Sequence, residues 1–369
     1  MRVRTALVAP DKFKGSLPAA EVAEAIRRGI ASVRPEWRVV CLPIADGGEG
    51  TTDVVAAAWG VPVIHIDSSD ANGRPRTGEA AIRGSEAVFE MATAAGLRWI
   101  EPGERDPWRA NTFGVGQILR KLRERGVRDV RVGLGGSATN DAGVGMAAAL
   151  GFGFLDKNGS FVDPVPREFH RIARVLPPAE PTALSVTALC DVENPLLGTN
   201  GASVVYGPQK GVRDVHGMDA ALGHVATIIE RDLGVCVRHH PGAGAAGGLG
   251  FGLLAFLGAN LAPGFDALAK MIDLPAAVSA ADVVVTGEGR LDHQTLFGKG
   301  PAGVARMARS LGKTTLAVCG SVEEGVDFAE SFDAVAPLVS EGTPLSAALA
   351  EPERWIEARA RKLARTWMA

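Results

Sequence analysis

The stretch VRTALVAPDKFKGSLPAAEVAEAIRRGIASV, residues 3–33, gives the chain a complete strand–loop–helix unit at its start. Val3–Ala9 is a mainly apolar run that reads as a strand, and DKFKGS at 11–16 is a polar loop. Pro18 falls near the first turn of the helix that follows, where its missing N–H costs nothing. Val22, Ile26, Ile30 and Val33 then recur at helical spacing on one face. Further on, Arg38–Pro43 reads as a second strand, ADGGEGT at 45–51 as its loop, Thr51–Trp59 as a helix and Val61–Ile66 as a strand. The last hundred residues return to the same rhythm. Asp282–Val285, Thr315–Val318 and Ala334–Pro337 are short strands rich in β-branched residues, and Pro301–Leu311 and Pro352–Thr366 are helices.

The middle of the chain is less regular. Ala80–Ile82 and Ala87–Phe89 read as a hairpin, and Val115, Ile118, Leu119 and Leu122 mark a helical stripe. Asp129–Leu134 is a strand running into GGSATND and then a helix to Leu150, and Leu184–Leu189 is a strand ending at Cys190-Asp191. Met218–Leu233 reads as a helix and Gly247–Leu261 as a glycine-rich one. Strand–helix alternation at both ends around such a middle predicts an α/β protein of two domains. One is a Rossmann-like parallel-sheet domain formed by both termini, residues 1–70 and 275–369. The other is an inserted α/β domain, residues 71–274. The polar stretch DSSDANGRPRT at 67–77 is the expected crossing.

Composition excludes several classes. The 369 residues include 46 glycines, about 12% where about 7% is usual. The glycines follow no three-residue period, and a 46% hydrophobic content supports a packed core. Lys and Arg number 39 against 42 Asp and Glu, a net charge of −3, so no basic footprint for nucleic acid or a membrane surface is present. Only 5% of residues are aromatic, too few for base-stacking platforms. Cys41, Cys190, Cys236 and Cys319 form no CxxC pair, the pattern of free thiols in a reducing compartment. The N-terminus reads as a strand and not as a signal peptide. Residues 241–265 are uncharged but hold eight glycines and two prolines, too little bulk for membrane insertion. A cytoplasmic protein is expected.

The chemistry concentrates in five loops that follow apparent strands: DKFKGS (11–16), ADGGEGT (45–51), GLGGSATND (133–141), CDVENPL (190–196) and TGEGRLDHQTLFGKG (286–300). Strand C-terminal ends are where open α/β sheets bind ligands. None has P-loop spacing: Lys299 follows Gly298 but position 293 is His, and Lys313 follows Gly312 but position 307 is Met. Gly133-Leu134-Gly135-Gly136-Ser137-Ala138 matches GxGxxA, with Asp156 lying 23 residues after Gly133, so a nicotinamide-binding oxidoreductase is one reading. The other is an anion cradle, with Gly135 and Gly136 amides and the side chains of Ser137, Thr139 and Asn140 facing phosphate. Asp141 could equally cap the following helix. In the 286–300 loop Glu288, Arg290, Asp292, His293 and Lys299 lie within twelve residues, a set suited to anion and metal handling. Lys12, Lys14 and Ser16 after the first strand, and Asp46 after the second, repeat the pairing of opposite charges. Asp191, directly after an apolar strand, is a candidate general base or metal ligand, or else part of an Asx turn before Pro195.

Taken together, APDKFKGSL (9–17), PIADGGEGT (43–51), GLGGSATNDAGVGMAAALG (133–151), CDVENPLLG (190–198), GASVVYGPQKG (201–211), PGAGAAGGLG (241–250) and TGEGRLDHQT (286–295) resemble the bacterial glycerate kinase family of type 1. The chain departs from the family's usual residue at Glu193, His293 and Phe297. The resemblance implies two α/β domains with the active site in the cleft between them. It also implies phosphorylation of D-glycerate by ATP with Mg²⁺, giving 2-phosphoglycerate, in a monomer or homodimer. On this reading Gly135–Asn140 and Gly244–Gly248, including Gly247, cradle the nucleotide phosphates. Asp191 with Asp292 or Glu288 supplies Mg²⁺ ligation and the base. Arg290 with Lys12 or Lys14 holds glycerate or the moving phosphoryl group, and Ser16, Asp46 and Lys299 complete the binding set.

Overall fold

The computed structural model describes residues 3–293, 295, 300–340 and 342–368. The backbone contacts divide the chain into two units, residues 1–46 with 265–369, and residues 47–264.

The terminal unit is built on a five-stranded sheet in the order Ala334–Pro337, Thr314–Cys319, Val283–Thr286, Thr5–Val8, Arg38–Cys41, with every pairing parallel. A parallel sheet is stable only when both faces are covered, and its central strands are accordingly continuous apolar runs such as VVVT at 283–286, buried throughout. On one face Val22, Ile26 and Ile30 of the helix Ala19–Ala31 join Ile356, Ala360 and Leu363 of the helix Pro352–Trp367 in one core. On the other face Leu291, Ala305, Ala317, Phe328 and Phe332 form a second. Numbered along this unit, the strand order is 2-1-3-4-5, the flavodoxin-like doubly wound order. The winding therefore reverses between Thr5–Val8 and Val283–Thr286, and ligands of such sheets bind outside the strand ends at that switch point.

The inserted unit carries a six-stranded mixed sheet in the order Asn260–Ala262, Ser185–Leu189, Asp129–Gly133, Glu86–Glu90, Pro75–Arg83, Val63–Ser69. The first four strands are parallel and the last two antiparallel. Its core gathers Phe89, Ile118, Leu119, Val130, Val132 and Phe251 into one cluster. Register places Glu90, Gly133 and Leu189 side by side at the C-terminal ends of three parallel strands.

The α/β class follows the sequence reading, but two segments differ from it. Residues 67–77, read as a domain crossing, hold the turn of the hairpin in which Val63–Ser69 pairs with Pro75–Arg83. A polar Gly/Pro stretch has the same composition in a turn and in a linker. The chain instead passes between units after Asp46 and again after Gly264. The glycine-rich helix runs Ala245–Leu257, with left-handed backbone at Ala246, Gly247 and Gly248, and stops at Gly258 before the strand Asn260–Ala262. Among the described residues no helix is long and apolar enough to cross a membrane.

Candidate active site

In the terminal unit, the two strands at the switch point run directly into acidic residues. The chain leaving Thr5–Val8 stays alongside its neighbour, Ala9 N–H donating to Val285 O and Asp11 N–H to Gly287 O, both at 2.8 Å. This delivers Asp11 next to Glu288. Asp11 is 9% exposed, and burial pushes its carboxyl up to about 6; Lys12, whose Nζ lies 3.8 Å from it, opposes the rise and Asp46 adds to it. Burial likewise raises Glu288 to about 7. The Thr295 hydroxyl, donating to its Oε1 at 2.9 Å, works against this, and Asp11, Asp292 and Asp46 reinforce it. Thr295 also fixes Asp292, whose N–H donates to the Thr295 hydroxyl at 3.0 Å. Burial, with the neighbouring carboxylates behind it, thus raises Asp11 and Glu288 at the ends of these two strands.

The other residues expected in this unit lie around that group in different ways. Lys14 is exposed, and Ser16 is half-buried with its N–H donating to Phe13 O at 2.8 Å. Arg290 is exposed and pairs with Glu323 at 3.2 Å, while Glu323 also accepts from His293 N at 2.9 Å. Lys299, like Phe297, lies outside the described residues.

In the inserted unit the loop after Asp129–Gly133 divides into an exposed tip and a buried base. Gly135 and Gly136 are exposed, Gly136 with φ 74, and among the described residues their N–H groups meet no protein acceptor. Consecutive amides left without a protein acceptor are the kind of group that can bind an anion. Ser137, Thr139 and Asn140 are buried, and among the described residues Thr139 Oγ1 and Asn140 Oδ1 meet no hydrogen-bond partner. Asn140 Nδ2 donates to Ser203 Oγ at 2.9 Å, and Lys210 Nζ donates to Ser137 Oγ and Thr139 O, each at 2.7 Å. Asp141, with no exposed surface, accepts from Thr112 N and Oγ1 at 2.8 Å, Gly145 N at 3.1 Å and Gly143 N at 3.2 Å. It thus accepts from amides at the start of the helix Val144–Ala149, whose N-cap is Gly143, and burial raises its pKa above the usual carboxylate range.

Much of the glycine excess is explained by chain packing here. A Cβ on Gly247 would lie 1.9 Å from Thr139 O, and one on Gly244 would lie 2.2 Å from Pro195 O. The segment 47–52 rests on the strand ends in the same way. A Cβ on Gly133 would meet Gly47 O at 2.3 Å, and the buried Glu90 carboxylate accepts from Thr52 N at 2.9 Å. Asp191 is half-buried, and its Oδ1 accepts from Gly264 N at 2.9 Å.

Three residues of these clusters were not singled out by the sequence: Asp11, Glu90 and Lys210. Asp11 carried the same signal as Asp191, an acid directly after an apolar strand. Lys210 sat inside GASVVYGPQKG, but its burial is created by partners 71 and 73 residues away. Glu90 gave no local signal at all.

The family model described as the glycerate kinase family matches residues 6–368 of this chain. The chain belongs to the glycerate kinase family. Seven segments had pointed there, and the match extends through the C-terminal helix. A glycerate kinase of Halalkalibacterium halodurans is 39% identical over 98% of both chains, and the glycerate 2-kinase of Escherichia coli is 38% identical over 91% of each. A crystal structure described as a glycerate kinase 2 from Salmonella typhimurium LT2 superposes with a TM-score of 0.89 at 36% identity, covering 100% of this chain and 99% of that one. As a glycerate kinase family member the chain is a phosphotransferase, and the reading as a nicotinamide-dependent oxidoreductase falls away.

Proposed function

We propose that this family member transfers the γ-phosphoryl group of ATP to the 2-hydroxyl of D-glycerate, giving 2-phosphoglycerate and ADP, with Mg²⁺ bound. The observation that carries this reading is the near-full-length similarity to a protein named glycerate 2-kinase. Phosphoryl transfer asks little covalent work of a protein; it needs positioning, neutralisation of charge and an acceptor for one proton. The Gly135 and Gly136 amides supply donors for phosphate oxygens. Asp191 takes the proton of the glycerate hydroxyl as its oxygen attacks phosphorus and the bond to the departing ADP oxygen breaks. Lys12 and Lys14 supply the positive charge for the glycerate carboxylate, since Arg290 is engaged by Glu323.

The donor chemistry of the terminal unit fits Mg²⁺. Among the described residues no group of three or more His, Cys, Asp and Glu side chains forms a metal cage. Mg²⁺ does not require one, because it keeps waters and substrate phosphate oxygens as ligands beside one or two carboxylates. Glu288 and Asp292 would hold it, and its charge would favour the ionised form of Glu288, which burial raises to about 7. Bound there, the ion would neutralise charge developing on phosphate oxygens. Four free thiols and the family's metabolic chemistry support a cytoplasmic setting.

The test is product identification. Phosphorus NMR of a reaction of the purified protein with ATP, Mg²⁺ and D-glycerate should show 2-phosphoglycerate as the phosphorylated acid. Formation of 3-phosphoglycerate instead would overturn the choice of hydroxyl, and absence of any phosphorylated acid would overturn the kinase reading.

A further inference from the structure

Lys210 ends the short turn Pro208–Lys210, just after the helix Ala202–Tyr206, and is 2% exposed. A lysine ammonium is almost never buried, because it gives up its water for whatever acceptors the protein provides. Here it has two at 2.7 Å, Ser137 Oγ and Thr139 O, and neither is charged. The carboxylate whose charge reaches it is Asp141, which is already saturated by four donors. Burial pushes the ammonium's pKa down to about 7. Packing alone gives no reason for a charge at this position, since a methionine of similar length would fill the space without the desolvation cost. The same segment also reaches the loop through Ser203, which accepts from Asn140 Nδ2. Residues 201–211 therefore grip the buried base of the 135–140 loop at three points: Ser137, Thr139 and Asn140. The exposed tip they support is Gly135–Gly136.

We propose that Lys210 is a positioning residue for the nucleotide: it clamps Ser137 and Thr139 so that the Gly135 and Gly136 amides keep one geometry toward ATP phosphate, and its protonated form adds positive charge on the buried side of that loop. The inference rests on the kinase reading of the loop and deepens it by assigning this loop to ATP, not to glycerate. The ammonium touches no substrate and works through the loop. Its charge acts across a dry layer of protein, where screening by water and salt is weakest.

Steady-state kinetics of full-length Lys210→Met, with both substrates varied, test this. The expected result is a KM for ATP raised tenfold or more, with kcat lowered no more than threefold and the KM for D-glycerate within twofold of the unmodified enzyme. A merely structural lysine would lower the active fraction and move neither KM. Ser137→Ala, which deletes one acceptor and leaves the lysine, should raise the KM for ATP at least threefold, and the double variant should be no worse than Lys210→Met alone. If Lys210→Met does not fold, Ser137→Ala decides, and a KM for ATP within twofold overturns the proposal. So do an unchanged KM for ATP in Lys210→Met, additive effects in the double variant, or a shift in the KM for D-glycerate instead. Failure of the unmodified enzyme to release ADP would overturn the kinase reading, a separate outcome.

Discussion

Replacing Gly247 by alanine tests whether the 135–140 loop, proposed to bind the nucleotide, is held by backbone packing. The new Cβ would lie 1.9 Å from Thr139 O and 2.8 Å from Asn140 Cα, while real Cβ contacts essentially never fall below 3.0 Å. The two backbones must therefore separate by about 1 Å at a point where every neighbour is buried and close-packed. Alanine at φ 70 adds roughly 1–2 kcal/mol for left-handed backbone, and forced overpacking adds about 1–3 kcal/mol. A loss of roughly 2–5 kcal/mol follows, or about 4–20 °C in Tm for a unit of this size. The displaced carbonyl is the one that accepts from Lys210, so the KM for ATP should rise in the same variant. Gly258→Ala is the control, with φ 60 but nothing within 4 Å of its Cβ, and it should lose only the backbone contribution of roughly 1–2 kcal/mol. Thermal melts of both variants, followed by near-UV circular dichroism, give the comparison. Equal melting temperatures for the two would refute the claim that Thr139 is rigidly placed.

Two further outcomes are expected. Asp191→Asn keeps an oxygen able to accept from Gly264 N and so should melt normally, but without a base its kcat should fall by about 10²–10⁴; near-full turnover would remove Asp191 from that role. Between 4.5 and its raised value of about 7, Glu288 holds its proton more tightly in the folded chain than in the unfolded one, so stability falls as pH rises through that window. Melts of the metal-free protein from about pH 5 to about pH 8 should therefore show a declining Tm, and Glu288→Gln should flatten the decline. An unchanged slope in the variant would assign the pH dependence to other groups.

The parts of this protein that could be read from sequence are those with local causes. Apolar runs such as VVVT at 283–286 and the stripe Val22, Ile26, Ile30 specify strand and helix within a few residues, which is why both ends of the chain were legible. The loops singled out for chemistry were found by the same route, because each follows an apolar strand. What was hidden depends on distant contacts. The polar stretch 67–77 could not be told from a linker until its flanking strands were seen to pair. Gly244 and Gly247 read as backbone for a phosphate, yet their own chain neighbours already exclude a side chain. The burial of Ser137, Thr139 and Asn140 was hidden because it depends on Ser203 and Lys210, more than sixty residues away in the chain. Lys210 looked like any loop lysine, because nothing near it in sequence reveals that it is buried.

The most direct test of the account is ADP release measured with a coupled assay on the purified chain, with ATP and Mg²⁺ present and D-glycerate added or withheld. The account predicts ADP formation that depends on D-glycerate and is stoichiometric with the acid consumed. ADP no higher with D-glycerate than without it would contradict the assignment of these loops to phosphoryl transfer onto glycerate.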